Sequence, residues 1–301
     1  MNTHTKSLGR LLLAPFLGAC LLTGCGDSPH TADSQAISLP KQEKRARQVA
    51  DAWRGSASAT AWNEGYYPMG DAVQIPESGW HSKADERAYA TKNFVLRGSL
   101  PTTTPDHGTV EWGSRNTLPR PLWGAQQAYR SFALNQSDGP QLTVTGARLG
   151  TTTITTSRGP ATVPAWLFTL KGYDTPLKRV AVTPSKLPKS PIGQVEQGAA
   201  GGLRSITRLA ETAMDDRSIT VKATHGACDD GPVVKALESE ENVVLYASIK
   251  GAQSGPCNAS MTEQSVKVEL RRSLGDRTLL DALTGQPVPY GEANGLSPSW
   301  T

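Results

Sequence analysis

QLTVTGARL (141–149), TTTITTSRG (151–159), ATVPAWLFTLKG (161–172) and LKRVAVTP (177–184) are the four consecutive segments that decide the fold. They are dense in Thr and Val, which favour extended backbone, and Gly-Pro and Asp-Thr-Pro sequences separate them. Alternation of β-forming runs with turn-forming residues is typical of an antiparallel meander. We therefore predict a β-rich protein of the α+β class.

Two short amphipathic helices are expected around the first strands. Residues 41–54 and 121–134 each place apolar side chains on one helical face, and strands are predicted at 93–99 and 108–112. Residues 55–87 show no clear period and are predicted as long ordered loops. The other face of the first helix is basic, and it fits either a solvated surface or contact with anionic lipid headgroups.

A second β-rich region follows a stretch rich in Pro and Gly. Residues 184–202 carry no apolar period, so we place a domain boundary there. Strands are expected at 218–224, 233–238, 242–250 and 265–272. The predicted organisation is two small, mainly antiparallel domains, with the following parts: signal peptide 1–24, flexible tether 25–40, domain 41–183, linker 184–202 and disulfide-bonded domain 203–301.

The N-terminus carries the strongest functional signal. Lys6 and Arg10 precede an apolar run from Leu11 to Leu22, which is too short to be a transmembrane helix. The run ends in Leu22-Thr23-Gly24-Cys25, which resembles the lipobox of bacterial lipoproteins. The resemblance implies cleavage before Cys25, a diacylglycerol thioether and palmitate-type acylation there, and attachment to the extracytoplasmic side of the cell membrane.

Two other interpretations of this terminus remain open. An ordinary secretory signal with a coincidental Cys would have a similar composition. Cys20, in Leu17-Gly18-Ala19-Cys20, is a second possible lipidation site, although it would cut the apolar run short.

Further stretches are similar to secreted lipoproteins of high-GC Gram-positive bacteria. They are Gly226-Ala227-Cys228-Asp229, Val243-Val244-Leu245, Cys257, the run from Leu274 to Val288, and the earlier run from Thr156 to Phe168. The resemblance covers about half of the mature chain. It implies an envelope location and a β-rich fold, and it brings no activity with it.

The mature chain keeps two thiols besides Cys25. Cys228 and Cys257 would meet an oxidising compartment after export, so we predict a disulfide that closes a loop of about 30 residues. A metal site is the rival interpretation, because His225, Asp229 and Asp230 lie near Cys228. The chain has no CxxC or HxxxH spacing that would favour such a site.

Motifs for catalysis and cofactor binding are missing from the sequence. It contains no GxSxG, no GxxxxGK[ST] and no GxGxxG after a strand, and Ser38-x-x-Lys41 spans Pro40 in the predicted tether. We predict no catalytic residue, no cofactor and no metal. Calcium remains an alternative at the acidic side chains of Asp229, Asp230, Glu238, Glu240 and Glu241.

One loop combines aromatic and acidic residues in a way that suits sugar binding. Aromatic faces stack on sugar rings, and carboxylates accept their hydroxyl protons. The candidate ligand-binding residues are Trp62, Tyr66, Tyr67, Trp80, His81 and Asp85. A cell-wall-acting hydrolase that uses Glu64, Asp71, Asp85 or Glu86 of this 62–86 loop is the alternative function.

Charge and composition exclude some classes of partner. The 301 residues are 37% hydrophobic, which is compatible with a packed core, and the formal net charge is +4. The sequence has no dense stripe of basic residues, which argues against nucleic-acid binding. We therefore expect a membrane-anchored extracytoplasmic lipoprotein with a non-catalytic binding or structural role in the cell envelope. Its partner would be an envelope component or another protein.

Overall fold

The computed structural model describes residues 34–113, 116–196, 201–251 and 260–291, with side chains from Lys41 onward. Cys20, Cys25 and Cys257 lie outside these ranges, so lipidation and the disulfide stay predictions. No helix within the described ranges is long and apolar enough to cross a membrane.

The first half of the chain combines helices with one large sheet. Its elements are α1 (Ser34–Trp53), α2 (Ala57–Glu64), β1 (Val73–Gln74), α3 (Lys83–Ala90), β2 (Phe94–Leu96), β3 (His107–Trp112), β4 (Asn116–Pro121), α4 (Ala125–Phe132), β5 (Leu142–Thr156), β6 (Gly159–Leu170) and β7 (Leu177–Val180).

The second half is all β in its described residues. Its strands are β8 (Ile206–Thr212), β9 (Ser218–Gly226), β10 (Pro232–Glu238), β11 (Asn242–Ile249), β12 (Met261–Glu269) and β13 (Thr278–Asp281). Each of the four strands predicted here is present within a few residues of its predicted bounds. The β-rich α+β class is confirmed.

The predicted meander forms the centre of the large sheet. Strands β5, β6 and β7 pair antiparallel in sequence order, and β2 adds to β5 in parallel. Inward-facing residues of the meander pack against α4, where the rings of Phe132 and Phe168 meet edge to face at 5.0 Å. The dense Thr and Val pattern thus produces long twisted strands with one buried face.

Residues 55–87 differ from the prediction of loops alone, because α2 and most of α3 lie there. Ser56 and Ser82 are the N-cap residues, and their hydroxyls accept hydrogen bonds from the backbone N–H groups of Ala59 and Asp85. Each helix has only eight residues, so its apolar period is too short to stand out in the sequence. Capping by Ser was the available signal.

The second half is built in layers around β11. The sheet β10-β11-β13 packs on one face against the sheet β12-β9-β8, through Val243 and Leu245. Its other face, at Val244 and Tyr246, is covered by α1. Burial on both faces explains why NVVLYA reads as a continuous apolar run.

Helix α1 is therefore a layer of the second half, although the sequence placed residues 41–54 in the first domain. Val49 and Trp53 pack into the same cluster as Val244 and Leu280. The Trp53 indole N–H donates to the carbonyl of Gly285 at 2.8 Å. The helix begins at Ser34, inside the stretch predicted as a tether.

Arg45 is the polar anchor of this layer. It is only 6% exposed, and its guanidinium donates from Nε to the carbonyl of Ala282 at 3.0 Å and from Nη2 to that of Gly193 at 2.6 Å. Lys44 and Arg47 stay exposed. The basic face is thus divided: Arg45 belongs to the core, and only its neighbours remain available to solvent or lipid.

The described part of the predicted 184–202 linker is packed against the second half. Ile192 and Val195 contact the α1 cluster, and the backbone N–H of Val195 donates to the carbonyl of Leu283 at 3.1 Å. The Ser190 hydroxyl donates to the carbonyl of Gly285. The Pro and Gly residues of this segment let the chain follow an irregular path along the surface of the second half, and the segment is not a free hinge.

A buried carboxyl lies beneath α1. Asp281 is 2% exposed, and burial raises its pKa to about 6. Hydrogen bonds from Leu283 and Thr284 and the positive charge of Arg45 oppose that rise. Asp281 thereby fixes the turn whose next carbonyl, that of Ala282, accepts from Arg45.

We expect Arg45→Ala to lower the free energy of unfolding by about 2 kcal/mol, because the buried carbonyl of Ala282 and the carbonyl of Gly193 lose their donor. Urea denaturation of the parent protein and the Arg45→Ala variant measures this difference. Arg47→Ala is the matched control: it removes an exposed guanidinium that pairs with Glu43 on the same helix, and it should leave stability nearly unchanged. Equal stability of both variants would contradict the role given to Arg45.

Candidate functional site

The six candidate residues of the 62–86 loop do not form one site. The rings of Trp62 and Tyr67 stack at 4.3 Å and are buried beside α1. Tyr66 lies in a different core cluster, where its ring meets that of Trp112 edge to face at 6.4 Å. These three aromatics are therefore core residues of the fold.

Trp80, His81 and Asp85 do come together at the surface. The His81 ring stacks on that of Tyr173 at 4.1 Å, and the Trp80 ring meets it edge to face at 5.9 Å. The pKa of Tyr173 is raised, mainly because its hydroxyl is partly buried and also because it forms a hydrogen bond with Asp85. We call Trp80, His81, Asp85, Tyr89 and Tyr173 the aromatic patch; the sequence missed Tyr173 because it lies about 90 residues further along.

Of the four carboxylates proposed for hydrolysis, Asp71 and Asp85 lie near the aromatic patch, and the other two lie apart from it; burial and then the charge of Asp71 raise the pKa of Tyr89. Asp85 lies in the aromatic patch and accepts a hydrogen bond from the Ser82 hydroxyl at 2.8 Å. Glu86 lies on an exposed part of α3 and pairs with Lys83 at 2.6 Å. Glu64 ends α2, and its backbone carbonyl accepts from Arg158. Hydrolysis needs two carboxylates flanking one bond, and of these four only Asp71 and Asp85 lie near the same group of rings.

A cleft lies elsewhere, between the two halves of the chain. This cleft encloses about 620 Å³, a volume typical of small-molecule sites. One wall consists of residues 155–157, 159 and 160, at the tip of the β5–β6 hairpin, together with Met69, Gly70 and the candidate residue Trp62. The opposite wall consists of β8, the following turn 213–216 and residues 274–279.

The hairpin wall is held by backbone pairing with the chain after α2. The N–H of Met69 donates to the carbonyl of Thr155 at 2.8 Å, and that of Ser157 to the carbonyl of Tyr67 at 2.9 Å. Gly159 closes the hairpin at φ +84°, which favours glycine. The Arg158 guanidinium lies over the Trp112 ring, 3.9 Å from its centroid.

The opposite wall is held by a tight turn. Asp216 adopts φ +55°, a left-handed conformation that Asp tolerates, and its N–H donates to the carbonyl of Ala213 at 2.9 Å. The N–H of Leu274 donates to the carbonyl of Asp216 at 2.7 Å, which ties the β12–β13 loop to this turn. Both sides of this wall are therefore fixed relative to each other.

The cleft has an apolar base and a polar margin. The side chains of Leu209, Leu274, Leu279 and Val288 are nearly buried and belong to the core beneath it. Among the described residues that line the cleft there is no His, Cys or Lys. The buried Ser157 hydroxyl in its wall has no hydrogen-bond partner among the described residues. A serine nucleophile needs an adjacent base, and the described lining places no His or Lys beside Ser157.

Two of the five acidic residues offered for calcium, Glu238 and Asp229, have other partners. Burial alone would raise the pKa of Glu238, but hydrogen bonds from Arg271 and Arg277 hold it below its usual value. The Asp229 carboxylate accepts from the backbone N–H of Gly226 at 2.8 Å. Within the described ranges, no group of three His, Cys, Asp or Glu side chains is placed to hold a metal ion.

Comparison with protein families, with curated proteins and with solved structures finds no match to this chain. The cleft must therefore be judged on its own geometry. No sequence motif marks it, because its walls come from segments about 50 to 210 residues apart that only the packing of both halves brings together.

Proposed function

We propose that the protein is a lipid-anchored, extracytoplasmic binding protein of the cell envelope, and that the cleft between its halves is the ligand site. The single observation that carries the binding role is the cleft itself, with an apolar base, a polar margin and two walls fixed by backbone hydrogen bonds. The resemblance of residues 22–25 to a lipobox supports the anchor.

The anchor is tested by removing its thiol. We expect Cys25→Ser to release the protein from the membrane fraction into the medium, because no thioether can then form. Fractionation of cells followed by immunoblotting measures this. Continued membrane attachment of Cys25→Ser, and also of the double variant Cys20→Ser/Cys25→Ser, would contradict lipid anchoring.

We also propose the Cys228–Cys257 bridge. Cys228 lies in the turn between β9 and β10, where the N–H of Ala227 donates to the carbonyl of Ser260 at 3.1 Å. Cys257 precedes Ser260 by three residues, a span of at most about 10 Å, which is compatible with a bridge.

Non-reducing peptide mapping of the exported protein should recover one peptide pair that contains both Cys228 and Cys257. Reduction should separate the pair. Free thiols at both positions would contradict the bridge.

A second binding site is supported by the aromatic patch. Stacked and edge-to-face rings beside a carboxylate are suited to a sugar ring, and Trp80, His81 and Tyr173 provide them at the surface. This is the part of the carbohydrate-binding alternative that the geometry favours.

One thermal-shift experiment separates the two sites. The mature chain with Cys25→Ser is screened against wall fragments, polysaccharides, calcium and zinc, since a ligand at 100 times its Kd stabilises by about 2.7 kcal/mol. Ala213→Trp fills the cleft, Tyr173→Ala dismantles the aromatic patch, and Ala84→Trp on an exposed part of α3 is the bulk-matched control.

We expect Ala213→Trp to abolish the shift of a cleft ligand and Ala84→Trp to preserve it. Loss of the shift in Tyr173→Ala alone would assign the ligand to the aromatic patch instead. A shift that survives both Ala213→Trp and Tyr173→Ala would contradict both assignments.

A further inference from the structure

The lining of the cleft is unbalanced in charge. Glu211, Asp216 and Asp276 line it, and Arg277 is the one basic residue that the described chain contributes. A neighbouring pocket of about 310 Å³ shares Asp276 with the cleft and adds Glu241. Acidic side chains thus lie along the margin of both concavities.

Arg277 does not neutralise these carboxylates, because its donors are already used. Nη1 pairs with Glu238 at 3.0 Å, and Nη2 donates to the carbonyls of Arg272 and Ser273 at 2.7 and 2.8 Å. The Arg277 side chain is only 8% exposed. Its charge is therefore directed to the β10–β11 turn and away from the cleft.

The three cleft carboxylates lack other basic partners. None of Glu211, Asp216 and Asp276 forms an ion pair within 4.0 Å among the described residues. Arg217 follows Asp216 in the chain but does not line the cleft. Three exposed carboxylates therefore face an apolar base without compensation.

We infer that the cleft binds a cationic amphiphile, meaning an ammonium or guanidinium group carried on an apolar body. The apolar body would cover the exposed Met214 and the partly buried Met69 and Tyr290, which lie over the core base of the cleft, and the cation would meet the carboxylates at the margin. The same carboxylates repel an anion, and burial of apolar surface beside them favours a ligand that supplies both parts. This inference rests on the proposed role of the cleft as the ligand site.

The test uses three fluorescent probes with one aromatic body. Dansylcadaverine carries an ammonium group, its N-acetyl derivative is neutral, and dansyl-6-aminohexanoic acid is an anion. Fluorescence titration of the full mature chain with Cys25→Ser gives the Kd of each. We expect the ammonium probe to bind at least tenfold more tightly than the anion, and its affinity to fall as salt rises from 20 to 200 mM.

Neutralising the margin identifies the residues responsible. The triple variant Glu211→Gln/Asp216→Asn/Asp276→Asn should weaken the ammonium probe about tenfold and leave the neutral probe unchanged; each single substitution should weaken it about twofold to threefold. Asp174→Asn, an exposed carboxylate away from the cleft, is the matched control and should have no effect. If the triple variant folds poorly, its three single variants give the same comparison.

The outcomes separate the two proposals. If Ala213→Trp blocks the ammonium and neutral probes equally and the carboxylate variants change neither, the cleft is a site but its preference for cations is refuted. If Ala213→Trp blocks the binding of none of the probes, the cleft is not the ligand site and both proposals are refuted.

Discussion

The structure depends on the burial of Arg45 under the turn that follows β13. A guanidinium can leave water only where acceptors replace its lost hydrogen bonds, and here the carbonyls of Ala282 and Gly193 do so. That requirement fixes the position of α1 on the face of β11 that would otherwise be open to solvent. It also fixes the 190–196 segment, because Gly193 must lie within reach of the same side chain. One cation thus joins a helix near the start of the chain to a sheet near its end.

The cleft is a consequence of that arrangement. Trp62 and Tyr67 follow α1 closely and belong to its core cluster, so the position of α1 sets where the chain after α2 emerges. That chain pairs with the tip of the β5–β6 hairpin and brings it opposite β8. The gap between them has a base of core aliphatic side chains and a margin of carboxylates. This geometry supports the proposed binding role.

Elements with local signals could be predicted from the sequence, and those that depend on long-range packing could not. The meander 141–184 was predicted because Thr and Val runs bounded by turns specify strands locally. The packing of residues 41–54 on β11 could not be predicted, since an amphipathic period shows that a helix has an apolar face but not which sheet covers it. Trp62, Tyr66 and Tyr67 were grouped with Trp80 because they are neighbours in sequence, whereas helix α2 and the loop after it direct them into separate clusters. Tyr173 and the cleft itself carry no local pattern.

The central claim is that α1 is an integral layer of the second half and not a peripheral helix near the anchor. Native-state hydrogen exchange on the mature chain tests this most directly, because elements that open together share one free energy of opening. The account predicts that amides of α1 from residue 46 to 53 are protected to the same extent as those of β11. Rapid exchange throughout these α1 amides beside a fully protected β11 would contradict it.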